Sequence, residues 1–276
     1  MKRIMTVQDI SCVGKCSLTV ALPIISAAGV EAGVLPTAVL STHTAFSKFT
    51  FCDLTDEIQP ISDTLKELDI DFDAIYTGYL GSFRQLSLVS DFIDRFGDKA
   101  KVVIDPVMAD NGKLYHGFTE EFAAAMATLC KKADLIIPNL TEASFMLNIP
   151  YDPDYDEEYI RDILKKLTDG GAKCAALSGI GFEDGKIGFY AYDRESDRYF
   201  YYYNEKLPAA FHGTGDIFAS ATLGALMRGH STERALTIAV DYTLECMKKT
   251  LADPDHRFYG VNFEEALPYY IELLAK

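Results

Sequence analysis

The sequence predicts an α/β fold in which helices cover both faces of a mostly parallel central sheet. Short apolar segments alternate with segments of helical spacing over the first 180 residues. The apolar segments lack an alternating polar face, which is typical of strands buried on both sides. Only Ile187–Tyr203 alternates aromatic and polar residues, so a small β-hairpin region is expected there. No repeat or linker interrupts the chain, which favours one domain over residues 1–276.

The elements follow in order from these periodicities. A helix should end at Gly29, because glycine commonly terminates helices, and the chain after Asp216 should be helical to its end. Strands are expected over residues 3–8, 33–40, 73–78, 101–105, 134–139 and 174–179. Helices are expected over residues 18–28, 58–68, 84–96, 120–131, a segment after Thr141, and residues 157–167.

The composition limits the binding partners and the location that we expect for the protein. The net charge of −15 argues against nucleic acid or an anionic membrane as a partner. An anionic nucleotide would therefore need local dipoles, amides and metal rather than a basic surface. Neither a signal peptide nor a membrane span is apparent, and the six scattered cysteines read as reduced packing residues. We expect a soluble cytoplasmic protein.

Polar residues recur where the predicted strands end. In open α/β sheets, ligands bind beyond the carboxyl ends of the strands, so one cleft could gather these residues. The set comprises Asp9, Ser41–Thr44, Thr77–Tyr79, Asp105, Asn139–Glu142 and Ser178–Gly179. Among the histidines, His43 is the best candidate for a site because hydroxyl residues surround it. We expect His212 to contribute mainly its backbone.

The segment Phe211–Ser220 predicts an anion site. Gly213 and Gly215 allow a sharp turn before a run of small and apolar residues that reads as a buried helix. The first amides of such a helix are unpaired and carry partial positive charge, which suits a phosphate or an oxyanion. The alternative is that Thr214 and Asp216 only cap the helix.

Two acidic motifs are candidates for a metal site. Asp105 and Asp110 follow a strand, and such carboxylates either meet a cation or, in the alternative, bind turn amides. Glu142 could contact a metal-bound water, or it could complete a capping box with Asn139, and both can hold at once.

Two other segments favour structural roles. Gly14-Lys15-Cys16-Ser17 lacks the earlier glycine of a phosphate loop and is rejected as one. The run Tyr199–Tyr203 is more typical of a sheet face than of a binding platform.

Four motifs in this order resemble the vitamin B6 (pyridoxal, pyridoxine and pyridoxamine) kinases of the ribokinase superfamily. They are Thr77-Gly78-Tyr79-Leu80-Gly81-Ser82, Asp105-Pro106-Val107-Met108, Pro138-Asn139-Leu140-Thr141-Glu142 and Gly213-Thr214-Gly215-Asp216. The resemblance covers nearly the whole chain. It implies a ribokinase-like three-layer α/β/α sandwich, ATP-dependent phosphorylation of a 5′-hydroxymethyl group, Mg²⁺, a monovalent cation (K⁺) and a homodimer.

The resemblance also implies roles for individual residues. Asp216 would be the general base, and the amides of Gly213, Thr214 and Gly215 would bind the transferring phosphoryl group. The substrate site would comprise Asp9, Ser11, His43, Thr44 and Tyr79. The nucleotide would be bordered by Asn139, Glu142, Ser178, Gly179, Pro208, Phe211, Gly213 and Gly215. Asp110 and Glu142 would lie by Mg²⁺ and its waters, and Asp105 and Ser178 near the monovalent cation.

One position departs from the family. The family usually has serine after the glutamine of the first strand, whereas Asp9 follows Gln8 here. A carboxylate would pair well with a protonated ring nitrogen or an exocyclic donor, or it could mark another heteroaromatic alcohol. Hydroxymethylpyrimidine kinase of thiamine synthesis is therefore an open alternative. A non-catalytic B6-binding protein is another, although pure binding needs no base aimed at the hydroxyl.

Overall fold

The computed structural model describes residues 1–276 as nine helices and eleven strands. The helices are α1 (Leu18–Ala27), α2 (Thr55–Glu67), α3 (Phe83–Phe96), α4 (Glu120–Cys130), α5 (Leu140–Leu147), α6 (Glu157–Asp169), α7 (Thr214–Met227), α8 (Thr232–Ala252) and α9 (Phe263–Leu274). None of them combines the length and the apolar composition that a membrane crossing requires.

Nine strands form one sheet in the order β11-β10-β9-β8-β5-β4-β1-β2-β3. Its strands are β1 (Arg3–Ser11), β2 (Glu31–Leu40), β3 (Phe51–Asp53), β4 (Ala74–Thr77), β5 (Lys101–Ile104), β8 (Leu135–Ile136), β9 (Cys174–Ile180), β10 (Lys186–Asp193) and β11 (Arg198–Glu205). The six strands from β9 to β2 are parallel, and the edge strands β3, β10 and β11 pair antiparallel. Strands β6 (Ala109–Asp110) and β7 (Lys113–Leu114) form a separate small hairpin.

A buried apolar cluster lies on each face of this sheet. On one face, the strands pack against α2 to α6, and on the other against α1, α7, α8 and α9. The strand side chains alternate between the two clusters, so Val7 faces one and Ile4 the other. The predicted fold class, a mostly parallel sheet between two helical layers, is confirmed, and it matches the ribokinase-like architecture.

The parallel strands end at one edge, which brings the polar residues together. Gly78 N–H donates to Val7 O at 3.2 Å, and Asp105 N–H donates to Thr77 O at 3.0 Å. These bonds align Gln8, Gly78 and Asp105 in one row across β1, β4 and β5. Beside Asp9, the pairing of β1 with β2 shifts by one residue, and such a bulge redirects a side chain at a strand end.

Several sequence predictions need correction. The strand expected over residues 134–139 is only Leu135–Ile136, with one further bridge between Asn139 and Ser178. The loop at residues 253–262 interrupts the helices after Asp216. Cys12 and Cys52 are exposed, so they do not pack in the core as expected. The hairpin at Ile187–Tyr203 and the sheet position of the tyrosine run agree with the structure.

Candidate active site

The amino end of α7 is open to a ligand. Its N-cap is Gly213, with φ of 81° and no side-chain cap, so Thr214 and Asp216 do not cap the helix. A Cβ on Gly213 would lie 2.1 Å from the Lys15 carbonyl oxygen, whereas one on Gly215 would meet nothing within 4 Å. The first N–H groups of the helix therefore face free space, as an anion site requires.

Asp216 lies in the first turn of α7, beside these amides. Burial raises its pKa to about 7, the Ser17 backbone N–H opposes the rise, and the charge of Asp9 adds to it. A carboxylate with this pKa is ionised in a useful fraction at neutral pH and is more basic than an exposed aspartate. The site thus combines a proton acceptor with an anion-binding helix terminus.

The segment Gly14–Ser17 supports the helix terminus. Ser17 caps α1 at φ of 48°, a conformation that few residues other than glycine adopt. Its hydroxyl lies near Asp9, and its backbone N–H faces Asp216. The Lys15 ammonium donates to Glu264 at 2.9 Å and to Asn262 at 3.2 Å. Lys15 is therefore held by the start of α9, in agreement with its rejection as a phosphate-loop lysine.

Asp9 is a buried acid with no basic partner. It is 5% exposed, and burial raises its pKa while the Ser17 hydroxyl lowers it in part. Neither Asp9 nor Asp216 takes part in any ion pair. Two neighbouring carboxylates without a protein cation favour a ligand that brings positive charge or hydrogen-bond donors.

The other predicted substrate residues lie at different depths. Ser11 is buried and lies near the thiol of Cys16. The Tyr79 ring is partly buried, and burial together with the charge of Asp9 raises its pKa. Thr44 is exposed in the loop that follows His43.

The ring of His43 has a defined tautomer. Its Nδ1 accepts the Ala45 N–H at 2.9 Å, so the neutral ring carries its proton on Nε2. Burial lowers its pKa, and so does His212, whose ring centroid lies 5.1 Å away. The ring of His212, which we expected to contribute mainly its backbone, therefore lies beside the predicted substrate residue His43.

Asp105 has a carboxylate that no protein group neutralises. It is 6% exposed, and burial raises its pKa well above the ordinary value, with added effects of Glu142 and Asp216. Its backbone carbonyl accepts the Val107 N–H at 2.9 Å, but the carboxylate binds no turn amide. The turn alternative is thus not what the structure shows, and the chemistry of the group suits a cation.

Glu142 and Asn139 form the expected capping box at the start of α5. The Glu142 carboxylate accepts the Asn139 N–H at 2.8 Å and the Met108 N–H at 3.1 Å. Burial nevertheless raises its pKa to about 8. Asp110 is exposed and accepts two hydrogen bonds from Asn111. No three His, Cys, Asp or Glu side chains converge as a complete metal site, so a metal here would keep water or phosphate ligands.

The predicted nucleotide residues form two groups. Asn139 bridges to Ser178, whose N–H donates to Pro138 O at 3.0 Å. Gly179 follows with φ of 75° and free space around its Cα. Pro208 and Phe211 belong to the loop that leads into α7, where Phe211 contacts His256 edge-on at 5.9 Å. The first group thus lies at the end of β9, and the second lies directly before α7.

Sequence reasoning missed two supporting features. Ser17 and Lys15 contact α7 and α9 across about 200 residues of sequence or more, and no local pattern reports such contacts. The β6–β7 hairpin had a readable signal in Asn111-Gly112, a pair typical of tight hairpin turns.

The chain as a whole is similar to proteins of one kinase family. The phosphomethylpyrimidine kinase family model matches residues 22–259. A Bacteroides thetaiotaomicron protein crystallised with pyridoxal is 42% identical, with a TM-score of 0.92 over 98% of this chain and 95% of that one. Pyridoxal kinase of Lactobacillus plantarum is 29% identical, with a TM-score of 0.91 over 99% and 98%. Hydroxymethylpyrimidine/phosphomethylpyrimidine kinase of Bacillus subtilis is 26% identical over 72% of this chain and 70% of its own length.

The family model covers most of the chain, and the solved structures share its whole fold. The resemblance to B6 kinases is confirmed at the level of sequence and architecture. The protein therefore belongs to the phosphomethylpyrimidine kinase family, a group of phosphotransferases with the ribokinase-like fold.

Proposed function

We propose that the protein transfers the γ-phosphoryl group of ATP to the 5′-hydroxymethyl group of a vitamin B6 vitamer. The observation that carries this proposal is the position of Asp216, a carboxylate with a pKa of about 7, at an uncapped helix terminus. To catalyse phosphoryl transfer, a protein must mainly position the reactants and stabilise negative charge. The bound pyridoxal of the 42% identical Bacteroides protein supports the choice of alcohol.

Different residues have different roles in this reaction. Asp216 accepts the hydroxyl proton as the oxygen attacks, and the amides of Gly213, Thr214 and Gly215 hold the phosphoryl oxygens. Asp9, Ser11, His43, Thr44 and Tyr79 bind and orient the ring. Asn139, Ser178, Gly179, Pro208 and Phe211 border the nucleotide. Proton acceptance, anion binding and orientation are thus assigned to separate parts of one site.

The carboxylates of Asp105, Asp110 and Glu142 fit a cation, because Asp105 is buried without any donor of its own. Asp110 and Glu142 would hold Mg²⁺ through water, and Asp105 with Ser178 a monovalent cation such as K⁺. When bound, these ions neutralise phosphate charge. We also propose that the protein acts as a homodimer.

ADP release with Mg-ATP and pyridoxal, pyridoxine, pyridoxamine or hydroxymethylpyrimidine tests this function. Turnover with any B6 vitamer, and its loss in the Asp216→Asn variant, is the expected result. Turnover with the pyrimidine alone would overturn the proposed substrate and leave the second candidate, hydroxymethylpyrimidine kinase, which the similarity to the Bacillus subtilis kinase supports. Vitamer binding without ADP release would show a non-catalytic binding protein.

The proposed base predicts a pH dependence. The pKa of Asp216 is about 7, and only the ionised carboxylate accepts a proton. We expect kcat/KM for ATP, which reports the free enzyme, to fall by about tenfold per pH unit below pH 7 and to level off above it. A profile that stays flat between pH 5 and pH 8 would contradict the assignment.

Asp9 is expected to set substrate preference. Its buried carboxylate would form a charge-assisted hydrogen bond to a protonated ring nitrogen, and such bonds contribute about 1.5–3 kcal/mol. The Asp9→Asn variant should therefore lose roughly 10- to 100-fold in kcat/KM for the preferred vitamer. Because Asp9 raises the pKa of Asp216, the same variant should move the acid limb of the pH profile to lower pH. An unchanged vitamer preference would show that Asp9 does not contact the ring.

A further inference from the structure

Beneath the active site lie three polar side chains that have no hydrogen-bond partner of normal geometry. They are the amide of Gln8, at both its oxygen and its nitrogen, and the hydroxyls of Tyr76 and Ser220. All three residues are 0% exposed. Buried polar groups in native proteins are almost always paired, so an unpaired cluster indicates a missing partner.

The three side chains come from different elements but meet in one place. Gln8 lies on β1 and Tyr76 on β4, and both face the helical layer that contains α7. The Tyr76 hydroxyl lies between Ser220 and the Gln8 amide, close enough for both to oppose the rise that burial causes in its pKa, although neither contact has normal hydrogen-bond geometry. Ser220 follows Asp216 by one turn of α7, so it lies on the same side of the helix and deeper in the protein.

The row Gln8, Gly78 and Asp105 joins this cluster to the carboxylates. A Cβ on Gly78 would lie 3.0 Å from Cδ of Gln8, so the Gln8 side chain lies against the Gly78 backbone. Burial raises the pKa of Tyr76, and the charges of Asp105 and Asp216 raise it further, so its hydroxyl keeps its proton as a donor.

The chemistry of the cluster selects among small ligands. The two hydroxyls can donate or accept, whereas the Gln8 amide offers both an N–H₂ donor and a carbonyl acceptor. A metal ion would leave the amide N–H₂ unpaired and would find only three side-chain oxygens. A water molecule can satisfy donors and acceptors together, and buried waters typically make about three such bonds.

We propose that Gln8, Tyr76 and Ser220 bind an ordered internal water beneath Asp105 and Asp216, and that this water positions the Asp216 carboxylate. The water links the first two turns of α7 to the central strands, so the base stays at a fixed height above the sheet. Gln8, Tyr76 and Ser220 are thus positioning residues. The positioning role rests on the proposed function of Asp216, whereas the water site itself does not.

The Tyr76→Phe variant tests the proposal, because it removes one hydroxyl and preserves the ring. If the water is bound, this variant should lower the melting temperature and reduce kcat by about threefold to tenfold, with both KM values nearly unchanged. The Ser220→Ala variant should behave alike, and the double variant should lose less than the product of the single losses because both act through one water.

Tyr242→Phe is the matched control. The Tyr242 hydroxyl is equally buried, but it donates to Phe263 O at 3.1 Å, between α8 and α9. This control should lower the melting temperature and leave kcat intact. A higher melting temperature for Tyr76→Phe would show that its hydroxyl is buried dry and would overturn the water site. An unchanged kcat would overturn the positioning role.

A high-resolution crystal structure of the wild-type protein tests the water site independently of the proposed function. Density for a water within hydrogen-bond distance of Gln8, Tyr76 and Ser220 is the expected result, and its absence would overturn the site. If the water is present and the protein phosphorylates none of the four alcohols, the proposed function fails while the water site stands.

Discussion

Replacing Asp216 by Asn is expected to reduce kcat by about 10²- to 10⁴-fold, the usual contribution of a general base. The amide has almost the same shape as the carboxylate but cannot accept the hydroxyl proton. Steady-state ADP release with the preferred vitamer measures the effect, and ATP binding by calorimetry provides the control, since the helix amides remain. Turnover near that of the wild type would exclude Asp216 as the base.

The Asp216→Asn variant should also differ from the wild type in its free energy of unfolding. Burial raises the pKa of Asp216 from 3.8 to about 7 in the folded protein. The folded state therefore holds an extra proton between these pH values, and its stability falls as the pH rises through them. We expect Asp216→Asn to be more stable than the wild type above pH 7, by up to about 4 kcal/mol, and to unfold like it below pH 4. Denaturant unfolding of the unliganded proteins at both pH values measures this difference.

Gly213→Ala is expected to cause the second large loss, about 100-fold or more in kcat/KM, because small displacements of aligned groups are costly in catalysis. The added Cβ would lie 2.1 Å from the Lys15 carbonyl oxygen, and φ of 81° is itself unfavourable for alanine. The loop and the first helical amides must move, so the anion site is lost and the melting temperature falls.

The Gly229→Ala variant separates the effect of the steric clash from the effect of the positive φ. Gly229 also has a positive φ, 93°, but nothing lies within 4 Å of its Cβ position. The control should cost only about 1–2 kcal/mol of stability and should retain activity. If both variants keep wild-type kcat/KM, then the amides at the start of α7 do not bind the transferring group.

Sequence patterns predict the candidate site because each pattern is local. The apolar strands, their polar ends and the glycines before α7 all follow from neighbouring residues, and the parallel sheet brings the strand ends together. Glu142 could be read in two ways, and the capping box that the structure contains leaves its metal role as a prediction.

Other features depend on contacts between residues that are far apart in the sequence, so they could not be predicted from it. Strand β8 pairs with β5 and β9 over only two residues, although its apolar run continues to Ile137. The position of Ser17 depends on α7, nearly 200 residues later. The role of the unpaired Gln8 amide could not be predicted from the sequence, because Tyr76 and Ser220 lie beside it only in the folded protein.

The bond between Lys15 and Glu264 joins residues 249 positions apart. The first strand is the third from the β3 edge of the sheet, yet the turn after it is fixed only once α7 and α9 have packed against it. Contacts of such long sequence separation slow folding, since loop closure costs entropy before the contact forms. During synthesis, a ribosome would have to release nearly the whole chain before the turn after β1, the start of α7 and the start of α9 could be held together. Catalytic competence is thus among the last properties that a newly made molecule acquires.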